Sequence, residues 1–169
     1  MRIFIVGFMG AGKTTIGRRL AKKLKYQFID LDELFEQKFH YSIANFFDHF
    51  GEEKFREIEH ELLKETLQEK DDIVISTGGG SPCFYNNMDL MNENGLTIYI
   101  KMDKESLKHR LLRSKRRRPV LPGLEENEME IFINKLMEVR EPIYDKARVK
   151  VKGENLKVEH ILPLLPLSG

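Results

Sequence analysis

Apolar positions along the chain follow two alternating rhythms. Short runs rich in aliphatic residues, Ile3 to Val6, Gln27 to Leu31, Ile73 to Ser76, Leu96 to Ile100 and Arg148 to Val151, have the length of buried strands. Between the first two, Ile16, Leu20 and Leu24 recur every four residues while Arg18, Arg19, Lys22 and Lys23 take the opposite face, which predicts an amphipathic helix. A second helix carries Phe55, Ile58, Leu62 and Leu63. A third, over residues 126–138, buries Ile133, Leu136 and Met137, and the last segment offers Val158, Ile161, Leu162 and Leu165 at helical spacing. Strands alternating with helices predict a parallel sheet covered by helices, an α/β fold. No repeat or low-complexity linker interrupts the alternation.

With 169 residues the chain has room for one compact domain, so a single unit over 1–169 with a single site is expected. Charged residues make up 33% of it with the signs nearly balanced at +1, which argues against a nucleic-acid binder and against a disordered tail. The first residues, MRIFIV, run straight into glycine and resemble neither a signal peptide nor a membrane span. The expected protein is therefore a cytoplasmic monomer without nucleic-acid or membrane partners. Cys83 has no second cysteine to pair with and reads as an incidental reduced thiol.

Chemistry enters at Gly7-Phe8-Met9-Gly10-Ala11-Gly12-Lys13-Thr14, which fits G-x-x-x-x-G-K-[ST] and lies between an apolar strand and an amphipathic helix. Glycines there let the backbone wrap phosphate oxygens, while unpaired N–H groups at a helix start donate to them. Lys13 is expected to reach the β- and γ-phosphates of ATP and Thr14 to ligate Mg²⁺. Gly10, Ala11, Gly12, Lys13, Thr14 and Thr15 form the expected nucleotide contacts. This loop alone does not separate kinases from GTPases, motor ATPases or binding modules.

Asp30-Leu31-Asp32 follows the second strand at its carboxyl end, the edge where open α/β sheets bind ligands. If the segment stays extended, the two carboxylates share a face, one to serve the metal and one to accept a proton from an attacking hydroxyl. The alternative is that Asp32 caps a helix starting at Glu33. The third strand ends in Thr77-Gly78-Gly79-Gly80, which strips side chains from the sheet edge and lets a ligand touch backbone. That strand has Ser76 where a Walker B segment has aspartate, so Asp30 is the candidate acidic group beside the metal.

The arginines divide by context. Periodicity puts Arg56 on the face away from Phe55, Ile58 and Leu62, as a solvated side chain paired with Glu52 or Glu59. Arg140 precedes Glu141-Pro142 and reads locally as a charge at a helix end. Arg113, Lys115, Arg116, Arg117 and Arg118, followed by Pro119 and Gly123, allow three readings: a nucleic-acid patch, a solvated loop, or a mobile lid over residues 112–126. The absence of interleaved aromatics weighs against nucleic acid, and phosphoryl transfer calls for a cation that closes over developing charge.

Taken together these motifs resemble the shikimate kinase family. The resemblance spans roughly Ile3 to Ala147 and includes the phosphate loop, Asp30-Leu31-Asp32, Gly51-Glu52 and Phe55-Arg56 within Phe47 to Glu59, the glycine triplet, Arg118-Pro119 and Arg140-Glu141-Pro142-Ile143-Tyr144. It implies a single-domain P-loop kinase of the nucleoside-monophosphate-kinase type, with a five-stranded parallel sheet in the order 2-3-1-4-5. The implied reaction is ATP-dependent phosphorylation of the 3-hydroxyl of shikimate, on the route to chorismate and the aromatic amino acids. By the same resemblance the substrate region is 32–60, Asp32 holds the shikimate hydroxyls, and Arg56 and Arg140 grip its carboxylate. Gly79 and Gly80 approach through backbone N–H groups next to Gly78, Phe47 and Phe55 wall the ring, and Glu59 orients Arg56. Arg118 swings in from the lid, and Arg110, with Arg113 as the alternative, lies against adenine. Val120, His40 and Lys146 stand where the family more usually has Leu, Gly and an acid. Two rivals stay open: another small-metabolite kinase such as a gluconate kinase, and a nucleotide-dependent regulatory module whose basic run contacts a partner.

Overall fold

A computed structural model of the protein describes residues 1–114 and 124–166. Its core is a five-stranded parallel sheet in the order β2-β3-β1-β4-β5. The strands are β1 (Arg2–Val6), β2 (Gln27–Asp30), β3 (Ile73–Ser76), β4 (Leu96–Lys101) and β5 (Val149–Lys152). All five expected strands form, with bounds shifted by no more than a residue or so. The helices are α1 (Lys13–Leu24), α2 (Leu31–Phe39), α3 (Ile43–Phe50), α4 (Glu52–Thr66), α5 (Asn87–Asn94), α6 (Lys104–Arg113), α7 (Glu126–Tyr144) and α8 (Val158–Ile161). Short 3₁₀ turns occupy Ser81–Cys83 and Leu162–Leu164. Among the described residues, no helix is long and apolar enough to cross a membrane.

Parallel strands covered on both faces must be apolar throughout, and Ile3, Phe4, Ile5 and Val6 of β1 with Ile73, Val74 and Ile75 of β3 are fully buried. α1 lays Ile16 and Leu20 on this core, as its four-residue spacing predicts. The last segment forms only one turn of α-helix because Pro163 and Pro166 deny the N–H groups a longer helix needs. A satellite core of Phe35, Ile43, Phe46, Phe55 and Leu62 ties α2, α3 and α4 together at one edge of the sheet.

Caps explain where several helices start. Asp30 accepts from the N–H groups of Asp32 and Glu33 at 2.9 and 3.0 Å, Ser42 accepts from Asn45 at 3.1 Å, and Asp103 accepts from Ser106 at 2.8 Å. The cap of α2 is therefore Asp30, and the reading of Asp32 as the cap does not hold. Gly51 joins α3 to α4 at φ 84, a left-handed conformation that glycine adopts without strain. α7 runs through Pro142 to Tyr144, past the expected end at 138.

This topology positions the site. β1 has β3 on one side and β4 on the other, so the strand order reverses around its carboxyl end, where a crevice opens. The register pairs Ile5 with Ser76 and Asp30 with Ser76. The phosphate loop, Asp30 and the glycine triplet therefore emerge side by side at one sheet edge.

Candidate active site

A cavity of about 660 Å³ opens at that edge, a volume suited to a small-molecule site. Nearly all the residues expected from the sequence line it: Gly10, Gly12, Lys13, Thr14 and Thr15 at one end, Asp30 and Asp32 between, and Phe47, Phe55, Arg56, Gly78, Gly79, Gly80 and Arg140 at the other. Ala11 is buried behind the lining. Arg110 lies on the outer side of the loop, donating to the Gly10 carbonyl at 3.3 Å. Arg118, with Lys115, Arg116, Arg117, Pro119, Val120 and Gly123, lies outside the described residues.

The nucleotide end is made of backbone. Gly12 sits at φ 91 and offers no capping side chain, so the first N–H groups of α1 face the cavity unpaired by a cap. Together with the helix dipole they form an anion site. Lys13 is buried and its Nζ donates to the Phe8 carbonyl at 2.8 Å, which folds the ammonium across its own loop. The Thr14 hydroxyl donates to Asp30 Oδ2, while Asp30 Oδ1 serves the α2 cap. A buried carboxylate beside a hydroxyl is the hard-oxygen pair that suits Mg²⁺, which takes few protein ligands and keeps water and phosphate oxygens for the rest. Among the described residues no group of three or more His, Cys, Asp or Glu could hold a metal.

The acceptor end is made of side chains on several elements. Asp32 lies in the first turn of α2, so it enters the cavity through helix geometry rather than through strand alternation. Its Oδ1 stands 2.9 Å from where a Cβ on Gly78 would be, and Glu59 Oε2 stands 3.3 Å from the same point. A Cβ on Gly79 would meet the Met9 backbone nitrogen at 2.9 Å, and one on Gly80 would meet Arg56 Nη2 at 2.5 Å. The triplet is thus glycine because three other parts of the site occupy the space of its side chains.

Arg56 is 7% exposed, against the solvated position periodicity assigns it. Its Nη1 donates to Glu59 at 2.9 Å, and Nε and Nη2 reach Glu52 at 3.4 Å, so both expected partners are used. Arg140 is also buried, inside α7 rather than beyond it. Four residues on, the Tyr144 hydroxyl donates to the Gly79 carbonyl, and burial holds this phenol in its protonated form.

Electrostatics at this end are unbalanced. Burial pushes the Glu59 carboxyl up to about 7, the Asp32 charge adds to the rise, and the Arg56 and Arg140 charges only partly oppose it. Glu59 Oε2 and Arg140 Nη1 are buried without a hydrogen-bond partner. A buried unpaired guanidinium nitrogen in a cavity wall is costly unless a ligand anion meets it. The arrangement can hold a small anionic, hydroxylated molecule against a phosphate site, with the Asp32 carboxylate in the wall between them.

Several contributors carry no motif of their own. Ile43 and Ala44 of α3 line the cavity. Phe84 lies over Arg56, with the guanidinium carbon 4.2 Å from its ring centroid. Burial raises the Cys83 thiol to about 11, which leaves it a protonated, unreactive neighbour.

The family model described as shikimate kinase matches residues 9–163. Shikimate kinase from Parabacteroides distasonis is 46% identical over 158 residues, covering 94% of this chain and 91% of that protein. A crystal structure of shikimate kinase from Bacteroides thetaiotaomicron superposes with a TM-score of 0.93 at 40% identity, covering 99% of each chain. Shikimate kinase from Acinetobacter baumannii, solved in complex with shikimate, gives a TM-score of 0.87 at 33% identity, covering 96% of this chain and 91% of that one. With the expected sheet order in place and a phosphate loop facing a buried pair of arginines across one cavity, this chain belongs to the shikimate kinase family.

Proposed function

We propose that this chain transfers the γ-phosphoryl group of ATP to the 3-hydroxyl of shikimate, giving shikimate 3-phosphate and ADP. The observation that carries this reading is Arg140 Nη1, buried and unpaired in the wall of a cavity whose other end is a phosphate loop. A carboxylate lying against Arg140 and Arg56 would satisfy that nitrogen, and planar guanidinium forks suit a carboxylate. Phe47 and Phe55 supply an apolar wall for a ring, and Asp32 and the open oxygen of Glu59 supply acceptors for its hydroxyls.

In the reaction the acceptor oxygen forms a bond to the γ-phosphorus as the bond from that phosphorus to the β-bridging oxygen breaks. The hydroxyl proton passes to Asp32, whose carboxylate already stands over Gly78. Lys13 and the N–H groups of Gly10, Gly12 and Thr14 orient the phosphates, with Thr15 and Ala11 completing the loop. Mg²⁺ would be held by Thr14 and Asp30 and would neutralise phosphate charge. Residues 7–14 thus serve the nucleotide and 32–60 the acceptor. The basic stretch of 112–126 supplies Arg118 to the developing charge, and Arg110, already against the loop, serves the base side.

Release of ADP measured with shikimate, quinate and gluconate in turn tests the reading. Turnover that needs both Mg²⁺ and shikimate is expected; equal turnover on gluconate, or none on shikimate, would sink it.

A further inference from the structure

We propose that Phe84 is a positioning residue for the acceptor carboxylate, acting by stacking on Arg56 so that its guanidinium presents one fixed edge to the substrate. The proposal rests on the reading that Arg56 grips a carboxylate. Arg56 is buried among close neighbours. Glu59 takes Nη1 at 2.9 Å, Glu52 approaches Nε and Nη2 at 3.4 Å, and the Gly80 backbone fills the space beside Nη2. Three rings surround the cation, and Phe84 is the nearest at 4.2 Å from its centroid, against 5.2 Å for Phe55 and 6.0 Å for Phe47. A guanidinium over a ring face at that distance, away from water, makes a favourable cation–π contact and loses its freedom to rotate.

Phe84 does not line the cavity, and the lining residue its ring stacks on is Arg56. Its own place is fixed by the chain that follows the glycine triplet. Cys83 N donates to the Gly80 carbonyl at 2.9 Å and Asn87 N to the Phe84 carbonyl at 3.3 Å. The fully buried Asn87 donates from Nδ2 to the Ser81 carbonyl at 2.8 Å, and its Oδ1 lies 2.5 Å from Nδ1 of His60, one helical turn beyond Arg56 on α4. The loop that brings Gly80 against Arg56 is therefore stapled back to the helix that carries Arg56, with Phe84 closing the gap between them.

The test replaces Phe84 by 4-fluoro-, 3,5-difluoro- and 3,4,5-trifluorophenylalanine, which keep the shape of the ring while progressively withdrawing charge from its face. Phe84→Tyr and Arg56→Lys accompany the series, and KM for shikimate, KM for ATP and kcat are measured throughout. The expected result is a stepwise rise in shikimate KM along the fluorinated series, reaching about tenfold, with ATP KM unchanged and Phe84→Tyr close to the parent. If Arg56→Lys raises shikimate KM but the fluorinated series is flat, the proposal falls and the carboxylate reading stands. An Arg56→Lys enzyme with unchanged shikimate KM overturns both, and parallel rises in ATP and shikimate KM would reduce Phe84 to a packing residue.

Discussion

The nucleotide end of the cavity is assembled within one short loop, from glycines at positive φ, helix N–H groups and a lysine folded onto its own backbone. The acceptor end draws Asp32 from α2, Arg56 and Glu59 from α4, Arg140 from α7 and three glycines from the end of β3, and it leaves a carboxylate oxygen and a guanidinium nitrogen unpaired. Phosphate presents the same charged oxygens whatever it is attached to, so a backbone nest suffices for it. A hydroxylated carboxylate must be told apart from its analogues, and that takes side chains held in fixed places whose unmet polar atoms penalise the wrong ligand. If this contrast is right, substitutions at the acceptor end should damage turnover or shikimate affinity while leaving nucleotide affinity intact.

The largest effect is expected at the boundary between the two ends. On the proposed mechanism Asp32→Asn removes the proton acceptor yet keeps the shape of the side chain, so kcat should fall by at least about 10²-fold while the Kd for ATP stays near the parent value. Full activity in that variant, measured by steady-state kinetics, would break the comparison at its centre. A smaller loss follows from Arg140→Lys, which keeps the charge and loses the planar fork. Shikimate KM should rise by roughly tenfold or more, as expected for a charged hydrogen bond made with poorer geometry, with ATP KM unchanged.

The smallest effect concerns pH. Glu59 sits at about 7 in the folded protein against its usual 4.5, chiefly because burial disfavours the charged form. Its sign follows from linkage: the folded state holds this proton more tightly than the unfolded chain does. The stabilisation is complete below pH 4.5, fades as pH rises through about 7, and is absent above that. Glu59→Gln should flatten this slope. Between pH 5 and 8, Tm of the parent should therefore fall relative to Tm of the variant, and parallel curves from thermal denaturation would show that Glu59 titrates as an ordinary surface carboxylate.

The same contrast sets how much could be read from sequence. The phosphate loop is contiguous and its residue types follow from local geometry, so Gly7 to Thr14 named its own role. The acceptor residues are scattered, and hydrophobic periodicity misplaced one of them. On α4 the buried stripe runs through Phe55, Arg56, Glu59, Leu62, Leu63 and Thr66, with two charged residues inside it, while Ile58 is only half-buried. A polarity scale reads Arg56 and Glu59 as solvent-facing because it cannot see that the two are hydrogen-bonded to each other. Arg140 is misplaced for a different reason: Glu141-Pro142 signals a helix end, whereas α7 continues through Pro142 to Tyr144. Resemblance of the combined motifs recovered both arginines. Phe84 and the Asn87–His60 staple carried no signal, since a phenylalanine or an asparagine in a loop has many commoner uses.

The hydrogen bond from Tyr144 to Gly79 spans 65 positions of chain. β1, α1 and β3 lie ahead of it in sequence, and the bond ties the end of β3 to a helix that enters the chain only after β4 and α6. Arg140 and the hydroxyl that fixes Gly79 thus come from one helix, so a shift of α7 would move the guanidinium and the glycine triplet together. The entropic cost of closing that loop grows only slowly with its length, and it is offset when Met129, Ile133, Met137 and Tyr144 of α7 join the main core.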